Sequence, residues 1–279
     1  MGAERRVGGS MGSYILSASS TVGRIFEDVD AWSIAAVVAL AMVAAWLLGR
    51  RIGARRLRKD SQGERPAVSK FLDASLGLLG LLIAFTFATS LTKHDSRRLM
   101  VVADSNAVGD FYNCASLLKE PVRTKLRKVI HDYATLRLAL AKRAYNSADF
   151  QRTLDQFEQM HSQMVELVSE ALADGTPIAV SLTNTLNALT SRNADRLFAV
   201  RDRIPPTIVV LLLTSAVVAA LLVGREQGVL GEEDLAGTIS FIVLVSLAIF
   251  VTLDLNQPNR GFARVDQESM TRLISTMSE

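Results

Sequence analysis

The stretch Ala74–Leu91, ASLGLLGLLIAFTFATSL, decides how this chain is read. It carries no charge and no proline over 18 residues, close to the ~20 that a helix needs to cross a hydrocarbon core of ~30 Å. Three more runs of the same kind stand around it: Trp32–Leu48, Pro205–Val223 and Thr238–Leu255. Within the four, the charged residue is Asp254, at the far edge of the last. Soluble chains rarely carry four such stretches, and this one is 49% hydrophobic over 279 residues. The expected fold class is therefore all-α: a four-span transmembrane helical protein, with a helical extramembrane block between spans two and three and a lipid bilayer as its first partner.

Within span two, Gly77, Gly80, Ala84 and Ala88 recur at three- and four-residue spacing. Small residues so spaced let helix backbones approach closely in lipid. Thr86, Thr89 and Ser90 add hydroxyls that the backbone one turn back can satisfy. No helix breaker separates span two from Lys119, so one helix is predicted to leave the membrane and run on to Pro121. Three further helices are predicted: Pro121–Tyr145, with proline in the first turn; Ala148–Ala173, capped by Ser147; and Ile178–Arg203, announced by Thr176-Pro177. In the last, Leu182, Leu186, Leu189, Leu197 and Val200 form an apolar stripe, a core or partner face.

The organisation follows. Residues 1–31 read as a loose N-terminal segment, with Met11 as an alternative start. Residues 32–91 hold spans one and two and the basic linker 50–70, and residues 92–204 form the helical block. Residues 205–255 hold spans three and four, joined by a solvated turn at Glu232-Glu233-Asp234. Residues 256–279 are a C-terminal tail. The first run has no small-residue cleavage site behind it and is read as a retained span.

Charge excludes more than it assigns. The net charge is +3, from 31 basic and 28 acidic residues, which lends nucleic-acid binding no support. Cys114 is the sole cysteine, so neither an intrachain disulfide nor a cysteine zinc site is available. No P-loop, GxSxG elbow, HExxH helix or CxxC pair occurs. His94, His131 and His161 lack ligand partners at helical spacing. The expectation is a chain that is not an enzyme, with no catalytic residue, metal site or cofactor. Orientation is contested. The linker 50–70 holds eight Lys and Arg, which marks it as cytoplasmic. The other side, with the block ends, the tail and the N-terminal segment, totals thirteen against nine.

Two charged clusters flank the spans. His94-Asp95-Ser96-Arg97-Arg98 leaves span two, followed by Asp104, Asn106 and Tyr112. Asp95 and Arg98 stand three apart and can pair on a helix. The cluster either anchors the helix at the interface or lines an ion vestibule. The second, Asp254, Asn256, Pro258 and Gly261, leaves span four and fits a helix cap, an arginine partner or a cation selector.

The runs Leu78–Phe87, Asp95–Arg98 and Val101–Val108, with the closing Leu253-Asp254-Leu255-Asn256-Gln257-Pro258-Asn259-Arg260-Gly261, resemble the bacterial bestrophin-like family, first described as a domain of unknown function. The resemblance covers roughly residues 70–265. In that family the closing motif usually has an acidic residue where Asn256 stands and an aromatic where Asn259 stands. More distantly, it points to the bestrophins, pentameric ion channels with the pore along the second transmembrane helix. The resemblance implies an oligomeric ion channel, a homo-oligomer with the pentamer as one stoichiometry and inorganic ions as cargo. Leu81 and Phe85 would form its apolar constriction, on a face shared with Gly77 and Thr89 at i, i+4, i+8 and i+12. Asp95, Arg97 and Arg98 would shape the potential at its mouth. It further implies a bacterial inner membrane, with the helical block and both termini in the cytoplasm, against the basic linker. The competing expectation is a scaffold or signalling partner that transports nothing and acts through its helical block.

Overall fold

The computed structural model of the chain describes residues 29–57, 68–142, 147–202, 204–231, 234–257 and 261–278. These form eight helices: α1 (Ala31–Leu57), α2 (Val68–Ser116), α3 (Val122–Lys142), α4 (Ser147–Ala173), α5 (Ala179–Arg201), α6 (Pro206–Leu230), α7 (Leu235–Asn256) and α8 (Glu268–Met277). Four of them, α1, α2, α6 and α7, are long and apolar enough to cross a membrane. The chain is thus an all-helical, multi-pass membrane protein with α3, α4 and α5 between spans two and three.

Several boundaries differ from the hydropathy edges, for local reasons. α1 continues past Leu48 through Arg50, Arg51 and Arg55. Arginine is a good helix former, so the end of an apolar run is not the end of a helix. α2 is unbroken for 49 residues and stops at Ser116, just ahead of Pro121. α4 begins at Ser147 itself, one residue before the expected start. α6 opens on Pro205-Pro206 and closes on Gly231, whose φ of 71° lets its N–H reach Gln227 O. α7 starts behind Asp234, whose Oδ1 accepts from Gly237 N at 2.9 Å. Asp234 is therefore a helix cap, while Glu232 and Glu233 lie outside the described residues.

The helices divide into two compact units. The membrane unit comprises Met1–Thr92 with Ile204–Gln257. Its core holds Val38, Met42 and Ala45 of α1, Leu79 of α2, Leu212, Ala216 and Ala219 of α6, and Ile242, Val245 and Ile249 of α7. α1 and α6 touch backbone to backbone. A Cβ placed on Gly49 would overlap the carbonyl of Leu221, and one on Gly53 that of Arg225. In return, Gly224 lies against the carbonyl of Trp46 and Gly228 against that of Arg50. The contacts advance together along both helices, so α1 and α6 run parallel. Trp46 Nε1 donates to Gln227 Oε1 (2.9 Å), and Gln227 Nε2 passes the link to Thr238 Oγ1 of α7 (2.9 Å). The Arg50 guanidinium lies 5.3 Å from the centre of the Trp46 ring.

At the other end of this bundle, Gln257 Nε2 donates to Val29 O and Ile204 N donates to Asn256 Oδ1, both at 3.0 Å. The basic continuation of α1 and the Ile204 strap therefore sit at opposite ends of the membrane unit.

The second unit comprises Lys93–Arg203 with Pro258–Glu279. Its core is built from Val108 and Phe111 of α2, Leu126, Ile130 and Tyr133 of α3, Phe157 and Met164 of α4, Leu182, Leu186 and Leu189 of α5, and Met270 and Met277 of α8. The first three leucines of the α5 stripe are thus core; the side chains of Leu197 and Val200 lie outside the description. Part of the tail is helical because Met270, Leu273, Ile274 and Met277 follow the i, i+3, i+4, i+7 period. Gly109 of α2 makes room for it: a Cβ there would stand 3.2 Å from Leu273 Cδ1.

Candidate functional site: the two faces of the second span

α2 has one face turned to its own bundle. Leu72, Leu79, Thr86 and Ser90 are buried, with Leu76 and Ile83 half-buried between them. Their alternating four- and three-residue spacing is that of a helix seam. Ser90 Oγ fixes the seam to α7 by donating to Thr252 O at 2.9 Å. Thr86 Oγ1 donates back to Leu82 O at 2.7 Å, so its hydroxyl is satisfied in a dry setting.

The opposite face is bare. Leu81 is 66% exposed and Phe85 60%, against 2% for Leu79 and for Thr86. Gly77 and Gly80 have nothing within 4 Å of where a Cβ would stand. Over its apolar stretch this span buries 17% within the chain, while the other three bury 28–33%. Gly77, Leu81 and Phe85 share the open face, but Thr89 is half-buried and back-bonded to Phe85 O at 2.8 Å. The reason is geometric: each four-residue step overshoots a full turn by about 40°, so three steps rotate Thr89 by about 120° toward the seam.

The charges after span two go to different places. Asp95 and Arg98 are exposed and do not pair; Asp95 Oδ1 instead lies 3.9 Å from His94 Nδ1. Lys93 pairs with Asp202, and Arg97 is buried, its Nη2 donating to Asp202 O at 2.9 Å. Both tie α2 to the residues that follow α5. Asp104 is wholly buried in the second unit, where its Oδ2 accepts from Arg137 Nε of α3 at 2.7 Å. Arg137 also donates to Tyr133 OH (2.8 Å) and lies within 6 Å of the Tyr133 and Phe157 rings. Asn106 is exposed. Of the closing motif, Asp254 and Asn256 are buried, Asn256 accepting from Ile204 N. Gly261 is exposed with φ of 94°, and Pro258 lies outside the described residues.

The structure therefore does not gather these residues into one constellation. It separates an open apolar helix face, a strap at Lys93, Arg97 and Asp202, and a buried Asp104–Arg137 pair. Spacing gave no hint of Arg137, 33 residues from Asp104 on another helix. Among the described residues, no three His, Cys, Asp or Glu stand close enough to hold a metal ion.

A family model for the bestrophin-like domain matches residues 35–270, which take in the first span from Ala35, the other three spans and nearly all of the second unit. The chain belongs to the bestrophin-like family. No curated protein and no solved structure matches it. In this bestrophin-like protein both faces of α2, the Asp104–Arg137 pair and α7 with Asn256 fall within the matched region.

Proposed function

We propose that this bestrophin-like protein is a passive ion channel, formed by several copies of the chain around a pore lined by the open face of α2. The carrying observation is the disparity among the spans. α2 leaves uncovered a continuous apolar face containing Gly77, Leu81 and Phe85. A helix with one seamed face and one bare face suits a wall between protein and pore. Rings of Leu81 and Phe85 would close such a pore by dewetting rather than by charge. Asp95 and Arg98, exposed beyond the last turn of the span, would set the potential at its mouth, while Arg97 would hold the helix in place. The pentamer is the stoichiometry the family relationship favours. We place the protein in a bacterial inner membrane, with the second unit in the cytoplasm and no catalytic chemistry.

The test is ion flux from liposomes carrying the purified protein, with Phe85→Ala beside it. Flux that grows in the variant supports both channel and constriction. Unchanged flux in a normally folded variant removes Phe85 from the gate. No flux from either protein, with the oligomer intact, favours the non-transporting scaffold.

A further inference from the structure

The second unit carries an open cleft of about 410 Å³ between α3, the C-terminal part of α2 and the end of α8. Tyr112, Arg127, Lys128 and His131 line it, with Met277 and Ser278 at its edge. Its size lies within the ~300–1,000 Å³ of small-molecule sites. Among the described residues, no carboxylate lines it. Of the nearby acids, Glu120 accepts from Arg123 Nε (2.8 Å) and from the Thr124 hydroxyl (3.0 Å), and Asp132 Oδ1 lies 3.7 Å from His131 Nδ1.

The cations are held rather than loose. Arg127 lies over the Tyr112 ring, 4.7 Å from its centre, and donates to the tyrosine hydroxyl. That hydroxyl donates in turn to Met277 O at 2.9 Å, so one tyrosine orients the guanidinium and latches the tail. Arg127 Nε is buried without an acceptor. A buried guanidinium donor left unmet is costly, and an anion nearby lowers that cost. Lys128 is exposed and pairs with no carboxylate among the described residues. His131 Nε2 stands 3.4 Å from Ser278 Oγ at the rim.

We propose that this cleft binds a phosphate group, carried by a soluble phosphorylated compound or by an anionic lipid headgroup. A fixed arginine beside a free lysine suits a tetrahedral dianion better than a carboxylate, which offers two oxygens and a single charge. The inference is independent of the channel reading, since no residue of the open α2 face takes part.

The experiment is hydrogen–deuterium exchange over residues 122–131 and 268–278 of the full chain. One arm adds inorganic phosphate to detergent-solubilised protein, against chloride at equal ionic strength. The other compares nanodiscs of phosphatidylcholine with and without phosphatidic acid. Lys128→Ala, at an exposed position, and Arg127→Lys run beside the wild type. Slowed exchange with inorganic phosphate, at a concentration about tenfold higher for Lys128→Ala, supports a soluble ligand. Slowing by phosphatidic acid alone, with the same dependence on Lys128, supports a lipid headgroup. Equal slowing in wild type and both variants, or none in either arm, overturns the proposal.

Discussion

In the membrane unit, Gly49, Gly53, Gly224 and Gly228 bring two backbones into contact, and Ala45, Ala216, Ala219 and Ala220 stand among the buried core residues. In the second unit the core is filled by Phe111, Leu126, Ile130, Tyr133, Phe157 and Met164, with the Arg137–Asp104 pair set among them. The difference follows from the solvent. Lipid tails are as apolar as leucine, so helices in a membrane gain little by hiding large side chains from them; they gain from close approach. In water, area removed from solvent drives packing, and large side chains remove the most. α2 belongs to both units, and its glycines sharpen the contrast. Gly77 and Gly80 are spaced much like the α1 and α6 glycines, yet among the described residues nothing lies within 4 Å of where a Cβ would stand on them.

Gly224→Val should strike hardest. Its side chain would collide with the Trp46 backbone, which cannot swing aside, at a cost beyond ~3 kcal/mol. We expect no monodisperse protein in detergent, whereas Gly77→Val should purify normally and melt where the wild type does. A Gly224→Val protein that melts normally would break the comparison. Next comes Asp104→Ala, which leaves Arg137 buried without its carboxylate and should destabilise the second unit by ~3–5 kcal/mol. Chemical denaturation followed by circular dichroism reads this; a loss below 1 kcal/mol, on the scale of an exposed pair, would show that water reaches the site. Gln227→Leu removes the bridge from Trp46 to Thr238 and should cost about 0.6–1.7 kcal/mol, the range for hydrogen bonds between membrane helices. An unchanged melting temperature would mean that glycine contact between α1 and α6 and apolar packing of α7 hold the three helices without the bridge.

The smallest effect is expected at Glu120. Hydrogen bonds from Thr124 and Arg123 hold its carboxyl below the usual carboxylate range. The group therefore stabilises the fold fully above its ordinary value, and the contribution fades as pH falls through the lowered one. Glu120→Gln should melt slightly earlier than wild type at neutral pH, and the gap should close as acidification protonates the carboxyl in both folded and unfolded chains. A gap that persists in acid would assign the effect to shape rather than charge.

The four spans and the long second helix were legible because both depend on local pattern: uncharged runs of sufficient length, and no breaker before Pro121. The α1–α6 contact was not. The Gly-x-x-x-Gly spacing at 49–53 and 224–228 is visible in the sequence, but so is the small-residue spacing of span two, and spacing does not name a partner. The pairing of Asp104 with Arg137 was equally hidden, since residues on different helices leave no periodic trace. Position just beyond span two suggested that Arg97 and Asp104 either tie helices together or line a vestibule; it could not name their partners, Asp202 and Arg137. Thr89 was assigned to the face of Phe85 by a four-residue rule that drifts over three turns.

The parallel contact of α1 with α6 also sets an order of events in synthesis. Gly224 emerges 175 residues after Gly49. At ~5–20 residues per second, that is a wait of roughly 9–35 s. Throughout it, Gly49 and Gly53, just past the apolar run of the first span, lack the α6 backbone they meet in the folded chain, while span two and the whole extramembrane helical block are made. The membrane unit is therefore completed late, by its third span, and a chain stalled before Gly224 would expose both glycines to any neighbouring helix.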